Sequence, residues 1–191
     1  MKIIFLAVVF LTSLASYCFS QESPQVLIAY YSQSGSTQTL AESIAEGARS
    51  VEGVRVILLP IDQVKELDLV QSSAIIVGSP VYNANIAPLV QEFINSWPFE
   101  GRPLKNKLGA AFATGGGISI GEEQVMLGIL QAMLIHGMIV VGGDETEAAF
   151  GASAVTGEGA FKTGQVEEIF LEKGVGLGKR VASLVLKMTL D

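Results

Sequence analysis

Four stretches of this chain carry almost no polar residue over the length of a strand: Val26–Ala29, Ala74–Gly78, Leu108–Thr114 and Met138–Gly142. A strand with one solvated face alternates polar and apolar residues. These do not, so both of their faces must be covered, as in a parallel sheet packed between helices. The intervening segments supply such helices, at about Thr37–Ser50, Ile86–Ser96, Glu122–Leu134 and Gln165–Met188, each with apolar residues three or four apart. With Val54–Leu59 as the second strand and Val26–Tyr31 as the first, the pattern predicts five strands in a doubly wound α/β sheet with helices on both faces. The connection Gly142–Gly164 is long and rich in glycine, a length usually associated with function or mobility.

In such sheets ligands bind beyond the carboxyl ends of the strands, where the strand order reverses. Three loops should meet there: Ser32–Thr37, Ser79–Asn85 and Thr114–Gly121. The first joins a buried strand to a helix through Ser32, Gln33, Ser34, Gly35, Ser36 and Thr37. Unpaired N–H groups at the helix start and four hydroxyls can hold a monophosphate without a lysine. The competing reading is a helix merely capped by Ser34 or Ser36. The third loop holds four glycines in eight residues, which keeps bulky side chains from the space above the sheet.

The first twenty residues read as a cleaved secretory signal: Lys2, then a charge-free apolar run from Ile3 to Ala15, then Ser20-Gln21-Glu22-Ser23-Pro24. Cleavage is expected after Ser20, leaving residues 21–191 as one domain and a secreted or periplasmic protein with no membrane span. Two alternatives stay open, an uncleaved anchor and lipoprotein cleavage at Cys18, although bulky Tyr17 suits the latter poorly. Without the leader the chain has no cysteine, which excludes disulfides and thiol chemistry. Eleven basic residues then face nineteen acidic ones, and no basic cluster offers nucleic acid a phosphate-binding surface. The chain has one histidine, is read as having no Gly-x-Ser-x-Gly elbow around an exposed serine, and has no His/Cys/carboxylate group at metal-ligand spacing, so neither a hydrolase nor a metal site is expected.

Taken together, these residues resemble the flavodoxin-like family of FMN proteins, most closely its WrbA-type NAD(P)H:quinone oxidoreductase branch. The resemblance rests on Ala29-Tyr30-Tyr31-Ser32, Gly78-Ser79-Pro80 with Asn85, Thr114-Gly115-Gly116-Gly117 with Glu123-Gln124, His136-Gly137-Met138, and Gly151-Ala152-Ser153 with Gly157-Glu158-Gly159. It implies strand order 2-1-3-4-5 and FMN as cofactor. Ser32 to Thr37 would hold the phosphate. Pro80, Val81, Tyr82 and Asn83 would contact the isoalloxazine, and Ala113, Thr114, Gly115, Gly116, Gly117 and Ile118 would close its other side. His136 would approach a flavin only across a subunit boundary, in a homodimer or homotetramer, and Trp97 or Phe99 would offer a wall to a quinone-like substrate.

The resemblance implies NAD(P)H as donor and no catalytic side chain, because the flavin carries the chemistry. A one-electron carrier of the flavodoxin type and an exported binding module that has lost FMN are the alternatives. The chain departs from the WrbA-type pattern in having Tyr82-Asn83 where Arg-Phe is usual, in a short connection from Pro60 to Ser73, and in its leader.

Overall fold

The computed structural model describes residues 23–144 and 148–190, so the expected leader, with Cys18, lies outside the described residues. Seven strands and five helices follow in order: β1 Gln25–Tyr30, α1 Ser36–Arg49, β2 Arg55–Pro60, α2 Glu66–Gln71, β3 Ala74–Tyr82, β4 Asn85–Ile86, α3 Pro88–Asn95, β5 Leu108–Gly115, α4 Glu122–Ile135, β6 Ile139–Val140, β7 Ala152–Val155 and α5 Glu168–Leu190. A 3₁₀ turn, Ile61–Gln63, precedes α2. Among the described residues no helix is long and apolar enough to cross a membrane.

The sheet runs β2-β1-β3-β5-β6 and these strands are all parallel, as the expected order requires. Two cores flank it. Val26, Ile28, Ala110 and Phe112 face α1 and α5, whereas Leu27, Ile75, Val77 and Ala111 face α3 and α4. Strands buried on both sides explain the absence of alternation in their sequences.

Three details differ from expectation, the first being α2, a short helix in the connection from Pro60 to Ser73. The fifth sheet position is shared: β6 pairs with Leu108 and Gly109, the chain then leaves the sheet, and β7 returns to pair with Phe112–Gly115. Only the first half of that position was foreseen. The second half, Ala-Ser-Ala-Val, is a short stretch of small residues inside a glycine-rich segment, so it carries little strand signal of its own. The third strand also runs on to Tyr82 and folds back as a hairpin with β4, which delays α3 to Pro88 at its first turn.

Register between β3 and β5 is marked by one contact. Gly78 lies opposite Phe112 across the ladder, and a Cβ on Gly78 would stand only 2.0 Å from the ring. The ring fills the space that the glycine leaves. Gly78→Ala should therefore destabilise the protein by about 1–3 kcal/mol in urea unfolding, and Phe112→Leu in the same chain should recover part of that loss. An unchanged midpoint for Gly78→Ala would show that the contact does not constrain the ladder.

Candidate functional site

At the carboxyl edge of β1 the chain turns at Gly35, which caps α1 with φ 95° and makes no side-chain capping bond. Neither Ser34 nor Ser36 serves as the cap. The Gly35 N–H donates to Ser32 Oγ at 3.1 Å, and no atom lies within 4 Å of the position a Cβ on Gly35 would take. The first turn of α1 has no acidic residue to compete with a bound anion. Ser36 is 4% exposed and its Oγ has no partner. A buried hydroxyl is normally satisfied, so this one is short of an acceptor or donor. Free helix-terminal N–H groups, an orphaned hydroxyl and an open glycine fit the phosphate of the expected FMN.

The second loop is the hairpin tip, where Asn83 and Ala84 both adopt positive φ, 51° and 60°. This is the backbone twist that two-residue hairpins favour. Ser79 braces it, with its Oγ accepting the Ala87 N–H at 3.0 Å and donating to the Pro80 carbonyl at 2.8 Å. Tyr82 meets Tyr31 edge to face at 6.5 Å. Burial pushes the Tyr82 phenol up, which keeps it protonated.

The third loop leaves β5 at Gly115 and enters α4 through Gly121, φ 119°. Glu122 is buried beneath it. One carboxylate oxygen accepts the Gly121 N–H at 3.2 Å, while Oε1 has no partner and occupies the space a side chain at Gly115 would need. Glu158, from the segment after β7, accepts the Ile118 N–H, and the Thr156 N–H donates to the Gly115 carbonyl at 2.8 Å.

Each pair of loops is joined. The Tyr82 hydroxyl donates to the Gln33 side chain, Thr37 and Thr114 share a hydroxyl bond of 2.7 Å, and Gly121 packs against Ala84 so closely that a Cβ there would stand 2.7 Å from the Ala84 Cα.

Comparison with known proteins agrees with this arrangement. A family profile described as a flavodoxin domain matches residues 27–125, which include all three loops. A flavodoxin of Clostridium saccharobutylicum is 33% identical over 84% of this chain and 97% of its own length. The chain belongs to the flavodoxin family. An NAD(P)H dehydrogenase (quinone) of Geotalea daltonii is 29% identical over 87% of this chain and 98% of its own. The crystal structure of a flavodoxin, WrbA-like protein from Agrobacterium tumefaciens shares the fold, with a TM-score of 0.71 at 21% identity over 86% of this chain and 99% of that one.

In this chain three groups of expected site residues stand differently. Ala113 is fully buried in the core on the α3 and α4 side, so its side chain offers no exposed surface to a ligand. His136, Trp97 and Phe99 do come together, with Trp97 and Phe99 edge to face on the imidazole at 5.4 and 5.3 Å. They meet, however, at the far end of α4, whose 14 residues span about 21 Å. No flavin held by the chain's own three loops is within their reach. Trp97 is also 4% exposed, too buried to present a wall to a substrate.

One expectation is corrected: a Gly-x-Ser-x-Gly turn around an exposed serine is present. Gly117-Ile118-Ser119-Ile120-Gly121 has Gly-x-Ser-x-Gly spacing on a strand-to-helix turn, and Ser119 sits at φ 58°. The single histidine lies at the other end of α4, so Ser119 has no imidazole base beside it. Glu122 was missed as well, because an exposed-looking Glu-Glu pair at a helix start gives no sign that one member is buried.

Thr37→Val should cost about 1–3 kcal/mol of stability by leaving the buried Thr114 hydroxyl unpaired, whereas Thr37→Ser should cost less. Equal midpoints for both variants would remove the hydroxyl pair from the account. Burial, then the charge of Arg102, push the His136 imidazole below its ordinary value, so the fold favours its neutral form. Its contribution is therefore complete above the unfolded value near 6.5 and is lost as pH falls through the folded one. Urea midpoints of His136→Gln should fall less steeply below pH 6.5 than those of the parent chain; parallel curves would refute the linkage.

Proposed function

We propose that this member of the flavodoxin family binds FMN among its three linked loops and reduces a quinone-like acceptor with electrons from NAD(P)H or another reduced donor. The observation that carries this reading is the asymmetry of the loops. Tyr82 supplies an aromatic side chain on the hairpin, while Gly115, Gly116, Gly117 and Ile118 supply none on the other side. A planar acceptor would meet an open ring face there.

Bound FMN would supply two-electron chemistry between a hydride donor and a quinone, whose reduction to hydroquinone consumes the donor's hydride and, net, one proton from solvent. The chain's part is to hold and orient. The α1 terminus and Ser36 would bind the phosphate, the Thr37–Thr114 bond fixes the loop that carries it, and Gln33 holds Tyr82 in place. Glu122 ties down the end of the glycine-rich loop through Gly121.

The leader-like first twenty residues support export to a secreted or periplasmic setting, where a donor other than NAD(P)H would serve. The distant His136 cluster could meet a flavin only in a homodimer or homotetramer. A second reading, a one-electron carrier between proteins, is favoured by Tyr82 as an aromatic flank and by the 33% identity with the clostridial flavodoxin.

The chain should retain FMN after excess cofactor is removed. Anaerobic NADH should bleach it in one two-electron step, and benzoquinone should restore its colour. Indifference to NADH with stepwise one-electron reduction by dithionite would favour the carrier, and failure to retain flavin would defeat both readings. Gly35→Glu should weaken FMN binding by about a hundredfold or more, since it sets a carboxylate against the phosphate. Unchanged affinity would refute the assigned loop.

A further inference from the structure

We propose that a second cavity, beside the flavin loops but outside them, binds a flat organic cation. The cavity lies between α3, the 3₁₀ turn Ile61–Gln63 and the end of β1, and its volume is about 680 Å³. That is within the roughly 300–1,000 Å³ of small-molecule sites. Of the residues in the three loops, only Ser32 lines it.

Its walls select for ring and charge. Leu89 and Phe93 stand one turn apart on α3, with Leu89 48% exposed at the mouth and Phe93 9% exposed within, so apolar surface runs from solvent inward. Ile61 and Tyr31 line other parts of it. Phe93 and Tyr31 put two aromatic rings in the lining, and such rings attract a cation. Asp62 and Glu92 add two carboxylates, and no lysine, arginine or histidine lines the cavity. Two like charges without a counterion favour a positive ligand and oppose one bearing phosphate, sulfonate or carboxylate. Tyr31 is also the shared wall, since its ring meets Tyr82 at 6.5 Å. An occupant would thus sit next to the cofactor loops without entering them.

The test is calorimetric titration of the full, FMN-loaded chain with the planar cation proflavine, repeated with the anionic dye 8-anilinonaphthalene-1-sulfonate as competitor. Proflavine should saturate a single site that the anionic dye does not contest. Asp62→Asn with Glu92→Gln should weaken it about tenfold, and Leu89→Arg should abolish it, while FMN affinity stays unchanged in all variants. No saturable binding, equal affinity in the variants, or displacement of proflavine by FMN would overturn the proposal. The same titration on flavin-free chain keeps the inference separate from the proposed function: a chain that holds no FMN yet binds proflavine in this residue-dependent way refutes only the latter.

Discussion

The contact between Phe112 and Gly78 is the constraint from which the site geometry follows. A side chain on Gly78 is incompatible with the ring of Phe112 opposite, so β3 and β5 pair in the register that sets Ser79 across from Ala113 and Pro80 across from Thr114. Residues two apart on a strand share a face. Thr114 therefore points to the same side as Phe112, where α1 lies, and its hydroxyl meets Thr37 at 2.7 Å. A one-residue slip would send Thr114 to the opposite face and break that bond.

From this register the rest of the edge assembles by short polar contacts instead of by a large apolar interface. Gln33 and Tyr82 join the first loop to the hairpin, Thr37 and Thr114 join it to the third loop, and Ala84 against Gly121 completes the ring of contacts. Each link is worth on the order of 1 kcal/mol, so no single one dominates. Together they hold three separate loops at one mouth. The two groups left unpaired in this neighbourhood, Ser36 Oγ and Glu122 Oε1, mark where the arrangement is not self-sufficient. The hydroxyl suits a bound phosphate, and the buried carboxylate lies at the start of α4, where the helix dipole favours negative charge.

Much of the fold was legible in the linear chain, and the limits are specific. Runs apolar on both faces located β1, β3 and β5, and helical spacing located α1, α4 and α5 to within a few residues. The hairpin at Asn83-Ala84 was not legible, because alanine at positive φ is an uncommon turn residue that the surrounding ladder imposes. β7 was missed because a small-residue segment forms a strand there only through its pairing with Phe112–Gly115. The first loop was visible in the sequence, and the competing reading of a serine cap is not the one the structure takes: Gly35 occupies the capping position. His136, Trp97 and Phe99 were foreseen as residues of interest, yet their meeting point was not beside the chain's own loops.

By itself the sequence determined the fold class and the succession of the long strands and helices, because burial on two faces and helical period are local properties written in residue type. Tertiary structure alone decided which hydroxyls pair and which is left free, that Glu122 is buried, that Ala113 is core, and that Asp62 and Glu92 line one cavity with Phe93. Those facts depend on strand register and on how far each helix carries its last residue from its first. Neither is encoded in any single stretch of chain; both arise only when distant segments are packed against one another.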